Sequence, residues 1–595
     1  MRFIFFVLIA FMLSAIGFSQ EDFLAKQYFN DGEFEKAKVL YQKLVKKSPG
    51  RTDFAEYYIT TLQQLEDYQT AESFLLKKLE QPRVFPTFYI ETGYNYALMK
   101  REEEADLFYD RAIASIQTNP NYGYAIGHRF QKYSLLNQAV EAYSLAMQLN
   151  PQANFDLQLA RIYGEQGEVQ KMFRAYLSLV YDGKTSRSSV QRYLEDFITE
   201  NPENTNNILL RKILLQNAQQ QPDVFWNEML SWLFIQQQQY KSAFAQEKAI
   251  FKRTDEASLE RLKNLGQICL ENQAWDTAEN IFSFITDKSN DKDTQLNAAL
   301  ELIEIELKTN PNPNLKDLDK QYQNLLVTYG QELNTLNLQI AYANFLTFKM
   351  SNAAPAIALL RESMDLPMGR FGTAYLKMAL GDILVFDQKF NQALIYFTQV
   401  QQSLKNDVLA QDARFKVAQT SFYKGDFDWA LTQLKVLRSS TSQLIANDAM
   451  QLSLLISDNS QEDSTQTALK KYARADLLAY QNKTQEAIDA LTAILTEHKG
   501  ESIEDEALLK QAQLLESQNK YDDARFNYIK IIEFYADGIL ADDAHFRLAE
   551  LLENKLGQPE KAKEYYEKII FNFKDSYYFP QARKNYRRLR GDTIN

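Results

Sequence analysis

The stretch EDFLAKQYFNDGEFEKAKVLYQKLVKKSP, residues 21–49, decides the fold, because its pattern of small and aromatic residues returns down the chain. Ala37 is followed by Ala71, Ala105 and Ala139, each 34 residues after the last. Four positions beyond these alanines stand Tyr41, Leu75, Tyr109 and Tyr143. Residues i and i+4 share one face of a helix, so each pair presents a small and a bulky side chain to the same neighbour. Within 21–49, a helix over about 21–30 meets a turn at Asp31 and Gly32, and a second helix runs to Lys47. Gly32 frees the backbone for the reversal. A fixed period of this length means a helical hairpin copied and stacked, each copy burying the face its neighbour leaves open.

Ala25, Tyr28, Gly32, Ala37, Tyr41 and Pro49 together resemble the tetratricopeptide repeat: small residue, tyrosine, turn glycine, alanine, aromatic and closing proline. The resemblance implies an all-α fold, an α-solenoid of antiparallel helix hairpins wound into a right-handed superhelix with a concave binding face. It implies no chemistry. Gly93, Tyr96, Ala105, Tyr109 and Ala112 continue the pattern, as do Gly127, Ala139, Tyr143, Ala146 and Pro151. A fifth copy carries Ala160, Tyr163, Gly167 and Tyr176 but places Met172 where the second-helix alanine belongs, which predicts a splayed or repacked hairpin.

From Asp182 to Asp223 helical patterns persist without the signature residues. The signature returns at Ala243 and then at Gly266, Ala278 and Phe282. Pro311 and Pro313 in NPNPN break any helix there, and helical patterns without a set register continue to Met364. Alanines resume at Ala393, Ala430, Ala487, Ala524 and Ala562, at intervals of 37, 57, 37 and 38 residues. The long interval leaves room for a helix around Ser442–Ser457 and for the polar loop SDNSQEDSTQT, the best hinge or cleavage site in the chain. Ala544, Leu548, Ala549, Ala562, Tyr566 and Ala582 resemble the longer repeats of bacterial envelope-assembly and cell-division proteins. The expected plan is therefore an export signal over 1–19, a repeat array over 20–181, a degenerate helical middle over 182–365, and a second array over 366–595 closed by a capping helix.

The first residues, MRFIFFVLIAFMLSAIGFSQ, carry Arg2, an apolar run from Phe3 to Leu13 and small residues at Gly17 and Ser19, the pattern of a signal peptide cut after Ser19. The run is shorter than the ~20 residues of a spanning helix. An exported protein at the periplasm or outer-membrane periphery is the expectation. A formal charge of −12 argues against nonspecific nucleic-acid binding, which needs a basic surface. Cys269 is the single cysteine, so no intrachain disulfide forms, and its helical context predicts a buried small residue.

Catalysis at neutral pH recruits His, Cys or tuned carboxylates, and the three histidines, His128, His498 and His545, are far apart in sequence. No metalloprotease, serine-hydrolase or phosphate-loop motif is present. Asp522 with Asp523 and Asp542 with Asp543 fit helix starts, where the dipole favours them. Asp287, Asp291 and Asp293 lack the spacing of a calcium loop. No catalytic residue, metal or cofactor is expected. The end ARKNYRRLR sets Arg583, Lys584, Arg587, Arg588 and Arg590 on an otherwise acidic chain; a capping helix is the first reading and peripheral contact with anionic lipid the second.

Family resemblance puts the binding face on the first helix of each repeat, offset from the small residue. Gly93, Gly127 and Ala160 then send Ile90, Tyr94, Tyr124, His128, Leu157 and Arg161 toward a protein or peptide partner. Aromatic rings and arginine suit such contacts. The carboxylate clamp of chaperone-binding relatives needs Lys and Asn at these offsets, whereas Asp22 and Lys26, then Glu56 and Thr60, occupy them here. The expected function is a non-enzymatic scaffold for protein–protein interactions.

Overall fold

The computed structural model describes residues 21–254, 258–438, 442–460 and 466–592. Every regular element among them is helical. The expected signal over 1–19 and residues 461–465 of the polar loop lie outside the described residues. The chain divides after Leu262 into two compact units, and the division falls within the stretch read as a degenerate middle.

In the first unit, helix 21–30 pairs with Phe34–Lys47, and four further hairpins follow: Thr52–Gln64 with Tyr68–Leu79, Thr87–Leu98 with Glu102–Thr118, Gly123–Lys132 with Leu136–Leu149, and Asp156–Glu165 with Val169–Tyr181. All four alanines of the opening ladder are fully buried, together with Tyr41, Leu75 and Tyr143. The first helices approach these rings so closely that a Cβ at Gly93 would lie 2.5 Å from Tyr109, and one at Gly127 would lie 2.5 Å from Tyr143. Bulk on one helix requires its absence on the other. The fifth hairpin meets the same constraint differently, since buried Met172 lies beside Gly164, whose missing side chain gives the thioether room.

The turn between paired helices recurs as regularly as the alanines, with positive φ at Gly32, Glu66, Lys100, Ser134 and Gly167. Three of these five are not glycine, so the hairpin imposes a left-handed residue that the local sequence does not favour. Beyond Tyr181 come Arg187–Glu195, Thr205–Gln220 and the hairpin Val224–Gln236 with Tyr240–Arg253.

The second unit resumes the same rule: a Cβ at Gly266 would lie 2.8 Å from Phe282, and one at Gly381 would lie 2.4 Å from Phe397. Its hairpins include Arg370–Phe386 with Phe390–Ser403, Val408–Lys424 with Phe427–Leu437, Thr467–Tyr480 with Thr484–Glu497, Ile503–Ser517 with Tyr521–Phe534, and Ala541–Asn554 with Pro559–Asn572. Pro311 and Pro313 fall between Lys292–Thr309 and Leu315–Tyr329, where Asn314 caps the second helix. Leu336–Asn344 ends in a π-helical turn, Phe345–Lys349. The Phe348 carbonyl accepts a 2.7 Å hydrogen bond from Asn482, and Phe386 accepts one of 2.6 Å from Gln481. These bonds tie together first helices that are distant in sequence.

Among the described residues, one further helix, Gln443–Asn459, stands in the long alanine interval between Phe427–Leu437 and Thr467–Tyr480, and it packs on Phe427–Leu437. Thr467–Tyr480 packs directly on Val408–Lys424, where Tyr423 and Tyr480 meet at 6.0 Å between ring centroids. The end of the inserted helix rests on Ile503–Ser517: Asn459 donates to Glu506 at 3.2 Å and accepts from Ser502 at 2.8 Å. Glu506 is 8% exposed, and its second oxygen has no partner. Burial, then the neighbouring Asp505 carboxyl, pushes Glu506 up to about 9.

Cys269 is buried, which pushes its thiol up to about 12. Asp291 caps Lys292–Thr309 by accepting from Thr294 at 2.8 Å, and Asp293 accepts from Asn334 at 3.1 Å. Among the described residues no three His, Cys, Asp or Glu side chains gather as metal ligands, and no helix is long and apolar enough to cross a membrane.

Two outcomes test this packing. Gly127→Ala overpacks the Tyr143 contact and costs about 1–3 kcal/mol, read as a lower denaturant midpoint; an unchanged midpoint contradicts the contact. Because the folded-state pKa of Glu506 is raised from 4.5 to about 9, its stabilisation is complete below 4.5 and is lost as pH rises through about 9. Glu506→Gln therefore raises the melting temperature at alkaline pH and flattens its pH dependence, and identical pH profiles for the two proteins would refute the assignment.

Candidate protein-binding surface

Three consecutive first helices of the first unit, Thr87–Leu98, Gly123–Lys132 and Asp156–Glu165, carry the six residues expected to meet a partner. Ile90 corrects that expectation. It has no exposed surface and belongs to the core with Phe108, Tyr109 and Ile113, because the close approach of the helices at Gly93 draws the preceding turn inward. Tyr94 is half-buried and stacks on Tyr133 with ring centroids 3.9 Å apart. Leu157 is half-buried as well.

Tyr124, His128 and Arg161 are the exposed members. Tyr124 is 50% exposed and stacks with His128, four residues on, at 5.8 Å. Arg161 donates a 3.0 Å hydrogen bond to the Tyr193 hydroxyl, and its guanidinium stands 5.4 Å from that ring's centroid. Aromatic rings and the Arg161 guanidinium therefore share this face, the guanidinium held against the Tyr193 ring.

Beneath the face runs a polar bridge that the repeat pattern does not reveal. Arg129 ion-pairs with Glu56 at 2.5 Å and with Glu91, on two different first helices. The Tyr133 hydroxyl donates to the other Glu91 oxygen at 2.6 Å. Glu91 is 1% exposed, and burial raises its pKa while Arg129 and the Tyr133 hydroxyl oppose that rise. Arg129 and Tyr133 are four residues apart and so share a face, the only local signal for this network. Its partners are 35 and 38 residues apart, and only the stacking of hairpins brings them together.

At the other end of the chain, Phe579–Arg590 covers the last hairpin with buried Ala582. Arg588 pairs with Glu553, while Arg587 and Arg590 both reach Asp592. Arg583 and Lys584 remain exposed on this helix. His545 is buried against Tyr565 and Phe573, and burial lowers its pKa to about 4. His498 lies between Glu501 and Lys471. The three histidines belong to separate environments.

Arg129→Met leaves Glu91 buried without its cation, which costs about 3–5 kcal/mol. Adding Glu91→Gln to the same chain restores part of that loss in a denaturant titration. A neutral effect of Arg129→Met would show that the bridge does not form.

Comparison with known proteins is consistent with this architecture. Residues 24–50, 506–538 and 543–576 match the tetratricopeptide repeat profile. No curated protein matches the chain. Among solved structures, a chain of the APC/C hetero-tetramer Cut9–Hcn1 is 12% identical with a TM-score of 0.21, and 96% of each chain is covered. A chain from the structure of Naa15/Naa10 bound to HypK-THB is 13% identical with a TM-score of 0.26, again covering 96% of each chain. At these TM-scores neither structure bears on function. The three matched segments are similar to tetratricopeptide repeats, and the hairpins at Gly93, Gly127, Gly266 and Gly381 between them share one glycine-to-ring contact.

Proposed function

We propose that the chain is a non-catalytic, exported scaffold that binds protein segments along the first helices of its first unit. The observation that carries this reading is the exposure of Tyr124, His128 and Arg161 across consecutive hairpins. Tyrosine and arginine supply large contact area and hydrogen bonding at modest entropic cost, and dominate the energetics of many interfaces. Arg161 is pre-oriented by Tyr193, so little of its freedom remains to be lost on binding. Three segments similar to tetratricopeptide repeats support a protein partner over a small-molecule substrate.

Export rests on the leader-like sequence of residues 1–19, and cleavage after Ser19 leaves Gln20 as the first residue. A role in envelope assembly or cell division is the more specific version, with Arg583 and Lys584 on the terminal helix available to anionic lipid or an acidic partner. Intact-mass analysis of the chain from the envelope fraction reads the cleavage site directly.

Replacing Tyr124 and Arg161 together with Ala weakens capture of the physiological partner at least about tenfold. Helicity by circular dichroism stays unchanged, because both side chains lie outside the core. Crosslinking in cells followed by mass spectrometry identifies the partner, and equal recovery with the double variant would remove this face from consideration.

A further inference from the structure

Two exposed rings of the second unit stand where the acidic chain turns basic. Phe571, in the last turn of Pro559–Asn572, is 67% exposed, and Tyr577, in the loop before Phe579–Arg590, is 80% exposed. Residues 573–592 carry Lys574, Arg583, Lys584, Arg587, Arg588 and Arg590 against Asp575 and Asp592, on a chain whose formal charge is −12. So large a local excess of positive charge marks a surface for something anionic.

The helical register gathers these cations. Ala582 and Asn585 are the buried residues of Phe579–Arg590, and the helical pitch puts Arg583, Lys584 and Arg587 on the opposite face. A loop of six residues, 573–578, joins this helix to Pro559–Asn572, the helix it packs on. The end of one helix and the start of the other therefore lie side by side, which brings Phe571 and Tyr577 to the same end of the pair as Arg583 and Lys584. Within the chain Arg588 is engaged by Glu553, and Arg587 and Arg590 share Asp592. Lys574, Arg583 and Lys584 are exposed.

The loop is built to hold its two rings outward. Phe573 packs on His545 with centroids 5.5 Å apart, and Tyr578 stacks on Phe546 at 4.3 Å while its hydroxyl donates to Asp543 at 2.7 Å. Tyr577 meets the edge of Tyr578 at 5.5 Å. This inward pair fixes the backbone, so the loop has little freedom left to lose when Phe571 and Tyr577 are covered. One repeat earlier Phe534 and Ile539 are exposed as well, but Glu533, Asp537, Asp542 and Asp543 accompany them and residues 533–543 hold no lysine or arginine. The later loop joins rings to cations; the earlier one does not.

We propose that this end of the second unit docks on an anionic lipid surface, with Phe571 and Tyr577 entering the headgroup layer and Lys574, Arg583 and Lys584 facing lipid phosphates. Aromatic side chains settle at headgroup depth, and lysine and arginine gain from the negative potential of anionic lipid. A protein interface instead depletes lysine from its core. Two rings cover little apolar area and exposed cations are screened by salt, so the contact is reversible and needs both. The proposal rests on the reading of the chain as an exported protein at a membrane periphery, and is separate from the Tyr124–Arg161 face.

The test uses the chain from Gln20 onward, without the apolar run Phe3–Leu13, and two kinds of vesicle: phosphatidylcholine alone, and equal parts phosphatidylcholine and phosphatidylglycerol. The chain sediments with the second and not with the first, more weakly as salt rises. Arg583→Gln with Lys584→Gln weakens that binding at least about tenfold. Phe571→Ser with Tyr577→Ser does so too and leaves the salt dependence in place. All four side chains are exposed, so melting temperatures stay unchanged. Tyr577→Trp adds fluorescence that shifts to the blue on anionic vesicles. Tyr124→Ala with Arg161→Ala leaves vesicle binding unchanged, and intact mass reads export independently. Equal sedimentation with both vesicles, full binding by either double variant, no blue shift in Tyr577→Trp, or capture of soluble polyglutamate with no vesicle bound would each overturn the proposal; partner capture through Tyr124 and Arg161 would survive any of these.

Discussion

The contact that recurs in both units is that between a glycine of the first helix and a ring sixteen residues later on the second. Gly93 under Tyr109, Gly127 under Tyr143, Gly266 under Phe282 and Gly381 under Phe397 are the same contact made four times. It lets the two backbones approach until the ring fills the space a Cβ would take, and it fixes the rotation of each helix about its axis. Once that rotation is fixed, the residue after the small one turns away from the core. Tyr94, His128, Arg161, Asp382 and Asp476 all hold that place. Packing thus assigns which positions are free to vary, and chemistry is written on those positions alone.

Stacking of one hairpin on the next is secured by a second kind of contact, polar and longer in sequence. Arg129 spans Glu56 and Glu91, while Lys416 and Lys510 each reach back to the preceding first helix. Such pairs contribute little net stability when exposed, but a half-buried pair penalises any register that separates its members. The apolar ladder allows a helix to slide by a turn at modest cost. Pairing Asp382 with Lys416 does not, because the carboxylate would then lose its cation in a partly desolvated place.

The ladder of alanines made the fold legible, since Ala37 through Ala562 are small residues whose burial is dictated by their own spacing. The helix in the long interval was also legible, because 57 residues exceed one hairpin. What escaped has a common cause. Ile90 was placed at the surface by an offset rule, yet burial at an offset depends on how deeply the neighbouring hairpin sits, which spacing does not encode. Glu66, Lys100 and Ser134 adopt turn geometry without glycine because hairpin packing outweighs local preference. Gly164 compensates for Met172 from eight residues away, and the Asn482 bond to Phe348 spans 134 residues. The candidate surface was legible only as a helix face, with Tyr124, His128 and Arg161 exposed as the offset required.

One scaffold with two chemistries follows from this separation of duties. After its small residues the first unit sets Tyr94, His128 and Arg161; the second sets Asp382, Gln419, Asp476, Gln513 and Glu550. Neither choice disturbs the contacts beneath, because those contacts are confined to the small residue and its ring. The electrostatics differ in the partner: burial raises the pKa of both carboxyls, but Glu91 faces the Arg129 guanidinium in the first unit, whereas Glu506 faces the Asp505 carboxyl in the second. A buried charge that is already paired is a structural element. A buried carboxyl beside a second carboxyl is held by its proton, and the difference between Glu91 and Glu506 is therefore a difference between a side chain fixed by a cation and one whose stability contribution depends on pH.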